Sequence, residues 1–141
     1  MTSARLARLV RLKKLAEEAR ATELAERKAA LGEAEAELDR TLAAAESSDG
    51  ALVASASGSE VEALARYREH LAHQMHQQRA EIARRAEVVR AGEDAVREAW
   101  SSRRSLQSAQ ERAEAREDDA ARQQERREMD ELALNRRGRR E

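Results

Sequence analysis

The chain has 141 residues, of which 39% are charged, and a formal net charge of −1. Its apolar fraction of 40% is dominated by 31 alanines, with no phenylalanine, one tryptophan and one tyrosine, which excludes a globular core of ordinary size. Zero proline with abundant Ala, Leu, Glu and Arg is the composition of long helices and coiled coils, and zero cysteine excludes disulfides and thiolate metal sites. No apolar run approaches the roughly 20 residues a membrane span needs, and no hydrophobic signal region follows the basic start, so a soluble, unsecreted protein is expected.

Residues 4–16 place Leu6, Leu9, Val10, Leu12 and Leu15 among Arg5, Arg8, Arg11, Lys13 and Lys14, with no acidic residue before Glu17. This basic amphipathic segment fits three roles: closure of a helical hairpin with solvated cations, docking on an acidic protein surface, or lying on an anionic membrane. From Leu24 a heptad emerges, with Leu24, Leu31, Leu38 and Ala45 seven residues apart and Ala34 and Thr41 three positions after two of them. Leu12, Leu15 and Ala19 do not continue that register, which implies a phase shift around residues 15–24. Gly32 interrupts the helix without an evident reason.

The only cluster of small, helix-poor residues runs from Ser47 to Ser59. Asp49-Gly50 offers a glycine for a helix C-cap, and Ser59-Glu60-Val61-Glu62 reads as a capping box at a helix start. So short a connection makes its flanking helices antiparallel neighbours. The expected fold is all-α: helix 1 over about 4–49, a turn over about 50–59, helix 2 over about 60–135 and a basic tail at 136–141. Together these form a single antiparallel coiled-coil hairpin whose second helix is the longer.

Helix 2 carries Val61, Met75, Ile82, Val89 and Val96 in one heptad register and Leu64, Leu71, Ala99 and Leu106 three positions on, with Arg68, Gln78 and Arg85 as polar exceptions. A period of 3.5 predicts a left-handed supercoil. Four acid-first i, i+4 pairs support it: Glu62/Arg66, Glu81/Arg85, Glu93/Arg97 and Asp118/Arg122. If residue 49 faces residue 60, partner numbers total about 109, a register that sets Ala45 by Leu64, Leu38 by Leu71, Leu31 by Gln78, Thr41 by Arg68 and Ala34 by Met75. The same register brings Trp100 near Leu9, where it would be buried, and lets Gly92 admit a leucine of helix 1. Helix 1 then runs out opposite residue 106, leaving roughly 29 residues, about 43 Å of helix, without a partner. Ala109, Ala113, Ala120, Met129, Leu132 and Leu134 give that overhang a thin apolar stripe.

His70, His73 and His76 rotate around a helix at their i, i+3, i+6 spacing and do not form a metal motif. No phosphate-cradling loop or nucleophile motif is present and a two-helix hairpin encloses no cavity, so neither catalysis nor a cofactor is expected. Nucleic-acid binding would need a basic face interleaved with aromatics, whereas the cations here gather at the chain ends.

Several blocks carry a resemblance to a known family: Leu12 with Leu15-Ala16-Glu17, Tyr67, Trp100 with Arg104-Ser105-Leu106-Gln107 and Gln110-Glu111-Arg112, and Met129-Asp130-Glu131-Leu132-Ala133. In these blocks, its length and its two-helix layout, the chain resembles the FliJ family of flagellar type III export proteins, relatives of the YscO group of injectisomes. The resemblance implies a non-enzymatic, cytoplasmic stalk, peripheral at the inner face of the cell membrane. Such a stalk inserts into the hexameric export ATPase ring, contacts the membrane-embedded export gate and binds export chaperones. Carried onto this sequence, the family's gate-binding stripe falls on Leu71, Met75, Gln78 and Ile82, where leucine, methionine and glutamine stand in place of an aromatic. The basic end with Arg5, Arg8, Arg11, Arg103 and Arg104 is then expected to enter the ring. The competing reading is a structural coiled-coil spacer or tether that dimerises through helix 2.

Overall fold

The computed structural model describes residues 1–54 and 57–140, and two helices account for nearly all of them: α1 (Ser3–Ala54) and α2 (Gly58–Gly138). They pack against each other as an antiparallel hairpin with the second helix longer, as expected. Residues 55 and 56 of the expected turn, and Glu141 of the expected tail, lie outside the described residues.

Both helix boundaries near the turn differ from expectation. α1 does not stop at Asp49-Gly50 but continues to Ala54. Gly50 does not take the left-handed conformation a C-cap glycine would use. The Asp49 carboxylate is instead engaged across the hairpin by Arg68 Nε at 2.8 Å, and Ala51-Leu52 restores helix-forming residues after the glycine. The helix start is capped by Ser57, two residues earlier than the cap read at Ser59: the Ser57 hydroxyl accepts the Glu60 N–H at 3.3 Å and the Ser57 carbonyl accepts the Val61 N–H at 3.1 Å. At the other end α2 continues through Arg136 and Arg137, so the start of the expected basic tail is helical.

The chain groups into two compact units, one of Met1–Glu18 with Arg97–Glu141 and one of Ala19–Val96. In the Ala19–Val96 unit the seam of α1 runs through Leu24, Arg27, Leu31, Ala34, Leu38, Thr41, Ala45 and Ser48, all buried or half-buried in an unbroken heptad, with Ala30 and Ala44 half-buried beside it. α2 answers with Leu71, Met75, Gln78, Ile82, Arg85, Val89 and Gly92. Leu24 meets Gly92, the Ala30 carbonyl meets Arg85 and Asp49 meets Arg68. Partners therefore total about 116, one heptad beyond the expected 109, because the turn lies further along the chain. A slip of a whole heptad keeps seam positions facing seam positions, so Leu31 aligns with Arg85 rather than Gln78. The expected pairings of Ala45 with Leu64, Leu38 with Leu71, Thr41 with Arg68 and Ala34 with Met75 move by the same step.

In the unit of Met1–Glu18 and Arg97–Glu141, Leu6 and Ala113 are the buried apolar residues, at 6% and 2% exposure, and Ser3, Val10 and Glu17 are half-buried. Ser3, Val10 and Glu17 extend the Leu24 heptad backwards, so no phase shift occurs. Leu12 and Leu15, whose spacing implied one, are both 62% exposed and lie outside the seam. The N-terminus of α1 sits against Glu117, eleven residues beyond the expected end of pairing at 106. Every described residue from 114 to 140 is exposed, including Met129, Leu132 and Leu134. The stretch beyond Glu117 is thus about 32 Å of helix rather than 43 Å.

Candidate functional site: exposed charge and the seam it borders

The seam itself is the first candidate. Leu71 is buried at 4% exposure, and Met75, Gln78 and Ile82 are half-buried, so these four residues face α1 and build the hairpin. Gln78 is the polar member, and its Oε1 is buried without a hydrogen-bond partner among the described residues. Shallow grooves flank the stripe, one lined by Gln74, Gln77, Gln78 and Arg84 and another by Ala45, Asp49, Arg68, Ala72 and Met75. An open groove of polar side chains suits a protein contact better than a small-molecule site.

Two guanidinium straps cross the same unit. Arg85 donates through Nη1 to the Ala30 carbonyl at 2.5 Å while its Nε pairs with Glu81 at 3.0 Å. In the opposite direction Arg27 Nη1 donates to the Val88 carbonyl at 3.4 Å. The Arg85 hydrogen bond is the largest influence holding the Glu81 carboxyl below its ordinary value. Arg84 adds to it, and partial burial opposes it. Arginine tolerates these seam positions because its long apolar stem packs in the seam while the head reaches a carbonyl or the edge.

The five cations expected to act together divide into two classes. Arg5, Arg8 and Arg11 are exposed, at i, i+3 and i+6 along α1, and no ion pair engages them among the described residues. Arg103 departs from expectation: it is a seam residue, ion-paired with Glu17 at 22% and 21% side-chain exposure and hydrogen-bonded to Gln107 at 3.3 Å. Its charge is spent inside the hairpin. Its neighbour Arg104 is exposed, with its guanidinium 5.8 Å from the centroid of the Trp100 ring. Trp100 is not buried against Leu9 as expected but is 50% exposed.

Of the four expected i, i+4 pairs, Glu62/Arg66 closes at 3.8 Å and Glu81/Arg85 at 3.0 Å. Glu93 reaches Lys28 on α1 at 4.0 Å, and Arg122 turns to Asp119 instead of Asp118. Sequence reasoning missed the polar seam pairs Glu17/Arg103 and Ser3/Glu117. Extending the Leu24 heptad backwards to Glu17 and Ser3, and the Val96 heptad forwards to Arg103 and Glu117, would have found them.

His70, His73 and His76 are all exposed, and among the described residues no group of three or more His, Asp or Glu side chains is placed to hold a metal ion. No described helix is long and apolar enough to cross a membrane.

A family model described as flagellar FliJ protein matches residues 2–141. Neither a curated protein nor a solved structure matches the chain.

Proposed function

This chain belongs to the FliJ family of flagellar type III export components, and we propose that it is the non-enzymatic stalk of the export apparatus, carried into the hexameric export ATPase ring by its basic face. The observation that carries this reading is the first 16 residues of the chain, which hold five exposed cations and no acid. Such a face suits an acidic ring lumen and would speed and orient docking more than it would tighten it. Arg5, Arg8, Arg11 and Arg104 supply the exposed charge. Arg103 supports them indirectly by fixing α1 to α2.

The export gate would be contacted in the other unit, at the half-buried edge formed by Met75, Gln78 and Ile82 over the buried Leu71. Export chaperones are further partners in this reading. The protein would work in the cytoplasm, peripheral at the inner face of the cell membrane.

Charge reversal at Arg5, Arg8 and Arg11 tests the ring contact. The triple variant should bind the export ATPase more weakly, with a gap from wild type that narrows as salt rises. Equal binding at low salt would sink this part of the reading.

One observation favours a second reading, the structural spacer that dimerises through helix 2: Met129, Leu132 and Leu134 lie exposed on an α2 segment that α1 does not reach. A stable dimer in sedimentation, with no ATPase complex at any salt, would favour it.

A further inference from the structure

Trp100 is the only tryptophan in a chain with no phenylalanine and a single tyrosine. A tryptophan can bury 150–250 Å², roughly, more than any other residue available to this seam. Yet it stands outside the seam and half exposed, while Ala99 and Ser102 on either side of it are turned partly inward. Its outer neighbours Ser101 and Ser105 are small and exposed, and they leave the ring open.

The adjacent arginines show the same division. Arg103 is committed to Glu17 inside the hairpin. Arg104, one helical turn after Trp100, instead lies over the indole as a cation on a π face. Stacking orders both side chains before any partner arrives, which lowers the entropy lost on binding, and it leaves the guanidinium edge free to take a carboxylate. The plain alternative is a tryptophan shielded by its own arginine with no further role. It leaves the placement of the largest apolar side chain on the surface without an energetic reason.

We infer that Trp100 and Arg104 form the anchor of a protein-docking surface, whose partner presents an apolar socket rimmed by carboxylates. Charge complementarity selects that occupant, because the α1 segment of the same unit presents Arg5, Arg8, Arg11, Lys13 and Lys14 exposed and unopposed before Glu17. A bilayer fits less well, since the residues around the ring are serines and charges rather than the continuous apolar face that membrane insertion requires. Resting on the stalk reading, the inference identifies this anchor as the central contact with the export ATPase.

The single tryptophan makes the test specific. Full-length chain grown with 5-fluorotryptophan carries one fluorine reporter, at position 100, whatever tryptophans the ATPase contains. Saturation with the export ATPase of the same genome should move the fluorine resonance and abolish its solvent-isotope shift as the ring leaves water. Trp100→Ala should weaken the complex about 30-fold, the scale of an interface hot spot, and Trp100→Phe less. Helix content measured by circular dichroism should be unchanged in both variants. An unmoved resonance in a saturated complex, or wild-type affinity of Trp100→Ala, overturns the anchor while leaving the stalk reading intact. Failure of the unlabelled wild type to bind the ATPase overturns the stalk reading and the anchor with it. A response to anionic vesicles but not to the ATPase assigns the surface to lipid and overturns the inference.

Discussion

The Glu117 carboxylate of α2 caps the N-terminus of α1, accepting the Ser3 backbone N–H at 2.9 Å on one oxygen and the Ser3 hydroxyl on the other. A helix start leaves four N–H groups without intrahelical partners, and here a side chain more than a hundred residues away satisfies one of them. The clasp marks where pairing with α1 ends and the exposed portion of α2 begins.

The clasp should respond to pH. The Ser3 hydroxyl, then its N–H, hold the Glu117 carboxyl below its ordinary value of 4.5, with Arg116 and the N-terminal charge assisting and partial burial opposing. Because the folded value is depressed, the contribution is complete above the ordinary carboxylate range and is lost as pH falls through the folded value. The carbon-13 carboxyl titration of Glu117 should have its midpoint below 4.5, and exchange of the first α1 amides should quicken as it protonates. Glu117→Gln should remove that pH dependence. A midpoint at 4.5 would mean that the clasp does not form in solution.

The seam pair Glu17/Arg103 gives a second test. Its side chains are about one-fifth exposed, between a surface pair worth roughly 0–1 kcal/mol and a buried one whose breaking costs about 3–5 kcal/mol. Glu17→Leu alone should cost about 1–3 kcal/mol by leaving a half-buried guanidinium without its carboxylate. Glu17→Leu with Arg103→Leu should recover most of that loss, since an apolar layer suits the seam at least as well. Urea unfolding of the four members of the cycle measures the coupling, and strict additivity would show that the pair contributes nothing.

Apolar residues at heptad spacing made the helices, their antiparallel pairing and the seam from Leu24 to Ala45 and from Leu64 to Leu106 legible, because burial selects those residue types directly. The first turns of α1 were misleading, since Leu12 and Leu15 resemble core residues while the true seam passes through Ser3, Val10 and Glu17. Polar seam residues carry no hydropathy signal; only the heptad register extended from the apolar part of the seam points to them. The turn was displaced for a related reason: Gly50 is tolerated inside a helix whose neighbouring carboxylate is held by Arg68, a contact invisible along the chain. At the candidate site the cations were legible as a group, but not that Arg103 is internal and Arg104 external. Those two differ by one residue, and so by about 100° around the helix.

Gln78 should be a site of easy stabilisation. Its Oε1 is buried with no partner among the described residues, and an unsatisfied buried acceptor costs about 1–3 kcal/mol. Gln78→Leu should raise stability by about 1 kcal/mol or more and shift the urea midpoint upward at constant slope. A fall in stability would mean that the amide is solvated or bonded in solution. If Gln78 also fixes the register, the variant should gain stability while losing sharp amide resonances in the Ala19–Val96 unit.

Gly92 and Gly32 separate packing from helix propensity. A Cβ at Gly92 would lie 3.1 Å from Leu24 Cδ1 and 3.2 Å from Arg27 Nη1, tight enough that the side chains must give by a few tenths of an ångström. A Cβ at the exposed Gly32 would meet nothing within 4 Å. Glycine in a helix interior costs about 1 kcal/mol relative to alanine, so Gly32→Ala should stabilise by nearly that amount. Gly92→Ala gains the same propensity but displaces Leu24 and Arg27, so its net effect should be smaller. Gly92→Leu has no space to enter and should destabilise by about 1–3 kcal/mol through overpacking, although leucine is a better helix former than glycine. Thermal unfolding followed by circular dichroism should rank the proteins Gly32→Ala, Gly92→Ala, wild type, Gly92→Leu from most to least stable. Gly92→Leu matching or exceeding Gly32→Ala would show that Leu24 does not occupy the notch at Gly92, and that the hairpin register is other than the one described.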